Sequence, residues 1–324
     1  MRLPALAEIL DSAIVVALPM RERFRGITVR ESMIFAGPAG WGEFGPFVEY
    51  DDAEAAWWLA AGIEAAYLGP PAAVRESVAV NATVPAVPAA DVAAILARFP
   101  GAHTAKVKVA EPGDTLDDEV ARVAAVRELV PTVRVDANGK WSVAQAIRAI
   151  AALGELEYVE QPCATVAELA QVRAAVSVPI AADESIRRAE DPLRVVRAGA
   201  ADVAVLKVAP LGGMRRVLWL AQETGLPVVV SSALDTAVGL SAGVATAAAL
   251  PAQPPACGLG TGSMFVTDVA EPFAVVSGHL VPRLVRPDGR APLASRARRR
   301  WWVHRLERVH ALLVDGHPAA RHVT

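Results

Sequence analysis

The 324-residue sequence predicts an α/β protein, a (β/α)7β TIM-like barrel with an α+β capping domain built from the N-terminal segment and part of the C-terminus. Three observations lead there. From about residue 76, β-branched runs alternate with Ala-rich amphipathic stretches, the pattern of repeated βα units around a parallel sheet. Eight strand candidates with seven helical stretches between them are enough to close a barrel. The residues before about 76 follow a different rhythm, and a 53% hydrophobic content supports a barrel of about 200–250 residues plus a smaller domain.

In chain order, residues 1–75 read as the capping lobe, in which the loop around Met20 to Arg25 is expected to close over the substrate. GITVRESMIF (26–35) alternates as a strand, WGEFGPF (41–47) follows a Gly-rich turn, and a helix runs from Asp51 to about Tyr67. Residues 76–270 form the barrel. Its strands are VAVNATV (78–84), AKVKVA (105–110), TVRVDA (132–137), EYVEQ (157–161), PIAADE (179–184), VAVLKVA (203–209), PVVVSSA (227–233) and ACGLGT (256–261). The intervening helices carry apolar residues at three- and four-residue spacing, as at Val120, Val123 and Ala124 before Pro131 ends the run. In the last segment, 271–324, FAVVSGHLVPRL (273–284) reads as a hairpin, and a basic helix from Ser295 returns toward the cap. Its RARRRWW run reads as a solvated face.

A net charge of −3 and a pI near 6.1 give no electrostatic footprint for nucleic acid and leave a small-molecule substrate as the expectation. Two cysteines, Cys163 and Cys257, without CxxC or Cys/His clustering, suit a reducing cytoplasm. Glu8 and Asp11 fall where a signal peptide needs its apolar core, and the apolar stretch Val238 to Leu250 is too short to span a membrane. The oligomeric state is not legible.

Of 32 basic residues only four are lysines: Lys106, Lys108, Lys140 and Lys207. An amine can be brought into the range where it takes and returns protons, which a guanidinium cannot. Barrel enzymes place their chemistry at the C-terminal ends of the strands. There stand Lys106 and Lys108 on strand two, Arg134 and Asp136 on strand three, Glu160 on strand four, Asp183 on strand five and Lys207 on strand six. From Lys108 to Lys207 the steps are 28, 24, 23 and 24 residues, close to one βα repeat each. Residues two apart share a strand face, so Lys106 pairs with Lys108 and Arg134 with Asp136. Three carboxylates on adjacent strands make an all-oxygen set suited to Mg²⁺ or Mn²⁺. Taken singly, each is equally well an ion-pair partner or a helix cap. A cation and a second ammonium nearby would favour a neutral Lys108 as base, with Lys106 charged against a substrate carboxylate.

With KVK, VDANG, VEQP, ADES and LKVAPLGG in this order, the sequence resembles the muconate-lactonizing subgroup of the enolase superfamily, and WGEFGPF looks like that subgroup's capping domain. Arg134 two residues before Asp136, SSALDTAVGL after strand seven, and the short length resemble the branch that performs a syn dehydration in menaquinone biosynthesis. Its substrate is 2-succinyl-6-hydroxy-2,4-cyclohexadiene-1-carboxylate. The resemblance implies that Lys108 removes the α-proton and then protonates the departing hydroxyl, with Lys207 a charged group on the opposite face. It also implies that Asp136, Glu160 and Asp183 ligate Mg²⁺. Arg134, Asn138, Ser231, Ser232, Gly260 and Thr261 are candidates for substrate contact by their strand-end positions. An N-acylamino acid racemase or dipeptide epimerase of the same subgroup would use the same lysines, although strand eight lacks the Asp-x-Asp pair of the epimerases. A Schiff-base aldolase on Lys207 or a non-catalytic metal-binding barrel would leave part of this set unexplained.

Overall fold

A computed structural model of the chain describes residues 3–188 and 191–322. The capping lobe comprises α1 (Leu6–Leu10), β1 (Ile14–Phe24), β2 (Ile27–Gly37), β3 (Gly40–Phe44) and α2 (Asp52–Tyr67). Its three strands form one antiparallel sheet in the order β1-β2-β3. No bounds were expected for β1, because Pro19 and the charged run Arg21–Glu22–Arg23 interrupt the apolar run Ile14 to Leu18. As the edge strand, β1 tolerates proline, and its register slips between Pro19 and Phe24.

The barrel follows: β4 (Val78–Ala79), β5 (Ala82–Val84), α3 (Val92–Leu96), β6 (Thr104–Lys108), α4 (Leu116–Arg127), β7 (Thr132–Asp136), α5 (Val143–Leu153), β8 (Val159–Glu160), α6 (Val166–Ala175), β9 (Ile180–Ala182), α7 (Glu184–Arg187), α8 (Arg194–Arg197), β10 (Val203–Leu206), α9 (Val208–Leu211), α10 (Met214–Thr224), β11 (Val228–Val230) and α11 (Ala237–Ala249). Capping boxes begin three of these helices, with Thr115 and Asp118 for α4, Ser142 and Gln145 for α5, and Thr165 and Glu168 for α6. Strands β5 to β11 form one parallel sheet in sequence order.

Closure falls to Cys257 and Gly258. Gly258 donates to the Val230 carbonyl (2.9 Å) and accepts from Ser232 N (2.9 Å), while Cys257 donates to Ala79 O (2.7 Å) and accepts from Asn81 N (3.0 Å). The expected six-residue strand ACGLGT is thus two residues long, and the chain then turns into a 3-10 segment, Gly260–Met264. Glycine is required at the seam, because a Cβ on Gly258 would stand 2.4 Å from Ser231 Oγ. The expected turn of the 273–284 hairpin forms at Ser277 and Gly278, both at positive φ (48° and 74°), between the mutually bonded Val276 and His279. Its arms do not continue as a pair, because β12 (His279–Leu280) takes β4 as its antiparallel partner.

Alternate residues of the barrel strands face inward, where Tyr158, Ala181, Val203, Val205 and Val229 make a small apolar plug separate from the main core. The outward set, including Val107, Val135, Val159, Ala204 and Val230, packs within the main core. The last helix, α12 (Arg296–Val314), returns to the cap. Trp302 meets Phe44 edge-on at 5.8 Å, and Arg305 donates to the carbonyls of Phe47 (3.1 Å) and Tyr50 (2.5 Å). The arginine run is exposed at Arg296, Arg299 and Arg300, whereas Arg298 reaches Glu31 on β2 (2.7 Å). Glu64 of α2 ties cap to barrel by accepting from the backbone N–H groups of Met214 and Arg215 at the start of α10. Among the described residues no helix is long and apolar enough to cross a membrane.

Candidate active site

Strand register assembles the site. Lys106 lies opposite Arg134, Lys108 opposite Asp136, Asp136 opposite Glu160, and Glu160 opposite Ala181, so Asp183 is the next inward residue on that line. Lys207 follows β10 directly and begins α9. All seven charged groups are buried. Lys106 Nζ bridges Glu160 (2.7 Å) and Asp136 (3.2 Å), Lys108 Nζ bonds Asp136 (2.5 Å) and Asn138 Oδ1 (2.6 Å), and Lys207 Nζ bonds Asp183 (2.5 Å). Asn138 holds its place at φ 48°, a conformation asparagine tolerates, and donates on to Glu184 (3.2 Å).

The two neighbouring lysines diverge. Burial opposes charge on both, but Glu160 and Asp136 outweigh it at Lys106, whose amine is held well above its ordinary range. At Lys108 burial prevails, assisted by the Lys106 ammonium and opposed by Asp136, and its amine is lowered. Asp136 is held below the usual carboxylate range by Lys108 and Lys106 against the effect of burial. One lysine is thus a fixed cation and the other is biased toward giving up its proton.

The three carboxylates fit a divalent cation by donor chemistry and by one orphan. Glu160 Oε1 is buried with no hydrogen-bond partner, and burial together with neighbouring Asp136 pushes that carboxyl up to about 7. A hard cation would answer both the missing partner and the crowding of like charge. Among the described residues no three acidic, histidine or cysteine side chains are gathered into a ready metal cluster. The amines stand between the carboxylates instead, and Arg187 Nε takes the other oxygen of Asp183 at 2.9 Å.

The cavity above these groups is lined by Lys106, Lys108, Asp136, Asn138, Lys207, Ser231, Ser232 and Thr261, all expected from the sequence. Two residues expected near the substrate stand outside the lining of this cavity. Arg134 does not line it: its guanidinium turns to Glu157, Asn81 and the Ala256 carbonyl, all at the starts of their strands, and stacks on Tyr158 at 4.6 Å. Gly260 lies behind the wall, where a Cβ would meet the Phe99 ring at 2.7 Å. Sequence reasoning missed Thr83, Arg187, Ala233 and Leu234, while Phe24, Arg25 and Gly258 lie in segments expected near the substrate. Residues 20–25, expected as a loop over the substrate, belong mostly to β1, and the turn proper is Arg25–Gly26 at φ 49° and 77°. That hairpin brings Phe24 to 5.4 Å from Lys108 Nζ. The free room is about 40 Å³, enough for a few waters.

Beside the cavity, Glu43 of β3 is buried against the loop after β11. Burial and neighbouring Asp235 push its carboxyl up to about 7 from 4.5. A raised carboxyl pKa means that the folded state holds the proton better, so this stabilisation is complete below about pH 4.5 and is lost as pH rises through about 7. Between pH 5 and 8, Glu43→Gln is therefore expected to flatten the fall in unfolding free energy measured in urea. Parallel pH curves for the two proteins would refute this.

The fold and the chain are those of a known class. Solved structures that resemble this one include a substrate-liganded L-Ala-D/L-Glu epimerase from Bacillus subtilis (TM-score 0.71, 23% identity, 87% of this chain and 98% of that one). A muconate lactonizing enzyme from Pseudomonas fluorescens complexed with muconolactone aligns with TM-score 0.72 and 23% identity over 90% of this chain and 97% of that one. Residues 15–66 match the family described as Enolase N-terminal domain-like, and residues 89–287 match Enolase C-terminal domain-like. The chain belongs to the enolase superfamily, whose enzymes use a divalent metal. It is 64% identical to an o-succinylbenzoate synthase of Mycolicibacterium smegmatis (96% of this chain, 98% of the relative) and 62% identical to one of Mycobacterium tuberculosis, with the same coverage. Within the superfamily it falls in the o-succinylbenzoate synthase family.

Proposed function

We infer that the enzyme converts 2-succinyl-6-hydroxy-2,4-cyclohexadiene-1-carboxylate to o-succinylbenzoate by syn elimination of water, a step of menaquinone biosynthesis. The observation that carries the reading is the buried pair Lys108 and Lys207, set around three carboxylates on adjacent strands in a chain so similar to proteins of that name.

Lys106, kept charged by Glu160 and Asp136, attracts the substrate carboxylate. Lys108 Nζ in its free-base form takes the proton α to that carboxylate, breaking the C–H bond. The same ammonium then delivers the proton to the departing hydroxyl on the same ring face. The C–O bond breaks, water leaves, and the new double bond completes the aromatic ring. One base serving both steps is what a syn course demands. Lys207, paired with Asp183, lies across the ring and stabilises the transient negative charge. Asp136, Glu160 and Asp183 would hold Mg²⁺ or Mn²⁺, which supplies positive charge to the substrate carboxylate as it gathers electron density.

The reading includes a cytoplasmic enzyme with a small-molecule carboxylate substrate and no nucleic-acid or membrane partner. It divides the chain into a cap (1–75), a catalytic barrel (76–270) and a C-terminal hairpin and helix (271–324) that complete the cap. Incubating the protein with the cyclohexadiene and Mg²⁺ is expected to yield the aromatic product by ultraviolet absorbance. EDTA should stop the reaction and excess Mg²⁺ restore it. Absence of product with the metal present would sink the reading, and racemisation of an N-succinylamino acid in its place would favour the racemase.

A further inference from the structure

The loop after the seventh barrel strand, residues 231–236, forms one wall of the cavity through Ser231, Ser232, Ala233 and Leu234. It is not held by its own preferences alone. Leu234 sits at φ 60°, a left-handed conformation that is unfavourable for a bulky residue. Inside the loop, Ser232 Oγ donates to Asp235 (2.8 Å) and accepts from its N–H (3.1 Å). The rest of the hold comes from the capping sheet. Arg30 of β2 donates from Nε to the Leu234 carbonyl (3.0 Å) and from Nη2 to Gly45 O, with its guanidinium 4.4 Å over Phe47. Glu43 of β3 accepts from Thr236 N (3.0 Å), Thr236 Oγ1 (2.7 Å) and Gly239 N (2.9 Å), gripping the first turn of α11, and Ser32 Oγ fixes it from behind (2.8 Å). Both charged groups are buried, an arrangement kept only where each finds partners.

We propose that Arg30 and Glu43 are positioning residues for substrate selection, holding the strand-seven loop so that Leu234 presents a fixed apolar wall to the hydrocarbon part of the substrate. The proposal rests on the dehydration reading above. The lysines and carboxylates act on one carboxylate and its neighbouring carbon, and the cap shapes the wall through the barrel's own loop.

The test measures KM, kcat and Tm on the dehydration substrate for Arg30→Met, Leu234→Ala, the double variant and the isosteric Glu43→Gln. Arg30→Met and Leu234→Ala are each expected to raise KM by about ten-fold or more with kcat within about three-fold, since both remove the same wall. The double variant should be no worse than the worse single. Glu43→Gln should raise KM several-fold with Arg30 intact. A purely structural tie would lower Tm and leave KM unchanged, and that result, or effects that multiply in the double variant, would overturn the proposal. Should Arg30→Met not fold, unchanged KM in Glu43→Gln and Leu234→Ala overturns it equally. An inactive wild type sinks the dehydration reading and this one with it, whereas an active wild type with indifferent variants sinks only the positioning role.

Discussion

Lys108→Ala is expected to lose about four powers of ten or more in kcat while keeping its fold and its response to metal. The size follows from double use. General acid–base help is worth about 10²–10⁴ for one proton transfer, and here a single amine both removes the proton and returns it to the leaving hydroxyl. The fold survives because Asp136 keeps Lys106 as a partner at 3.2 Å and its own contact with Asn138 N at 3.0 Å. Lys108→Arg sharpens the test, since it preserves the charge but cannot give up its proton. It should be about as inactive as the alanine variant. Single-turnover assays and circular dichroism decide the matter, and either variant within about ten-fold of wild type would remove Lys108 from the chemistry.

Glu160→Gln is expected to lower divalent-metal affinity by about 100-fold or more and kcat/KM by a similar or larger factor. Glutamine keeps the side-chain volume but removes the charge at the one member of the Asp136, Glu160 and Asp183 set whose buried oxygen lacks a partner. Metal binding stabilises a fold in proportion to the logarithm of concentration over Kd. Wild-type protein should therefore gain Tm as Mg²⁺ is titrated in, and the variant should gain little over the same range. A variant whose Tm rises in parallel with wild type would show that Glu160 is not a ligand. Scanning calorimetry reads this without substrate, so it stands apart from the identity of the reaction.

The barrel was legible because its period is local. Alternation placed Lys106 with Lys108 and Arg134 with Asp136 on one face, and the lysine scarcity pointed to the same strand ends. Alternation does not say which way along the barrel axis a long side chain leans. Arg134 shares a face with Asp136 yet runs toward the strand starts, where Glu157 and two oxygen acceptors await it. The segment around Met20 to Arg25 was expected over the substrate, but the individual contacts of Phe24 and Arg25 arise only when a hairpin from another lobe is laid over the barrel mouth. Arg187 belongs to no motif in the sequence, and only the fold brings Tyr50 and Asp183 to its guanidinium. The site's charge-bearing floor was readable, while its walls depended on docking between lobes.

The cap takes its strands from the start of the chain and its buttress from the end: Val16 bridges to Leu293, and Phe44 rests on Trp302. On a ribosome adding about 5–20 residues each second, these strands emerge tens of seconds before the helix that covers them. Until then the strand edge and Phe44 stand open to whatever passes, and the barrel has time to form first. Such distant pairing slows folding and leaves apolar surface uncovered for longer during synthesis. The lid that shapes the catalytic pocket is thus a part of the molecule that synthesis can complete only at its end, after every residue of the catalytic set has already been made.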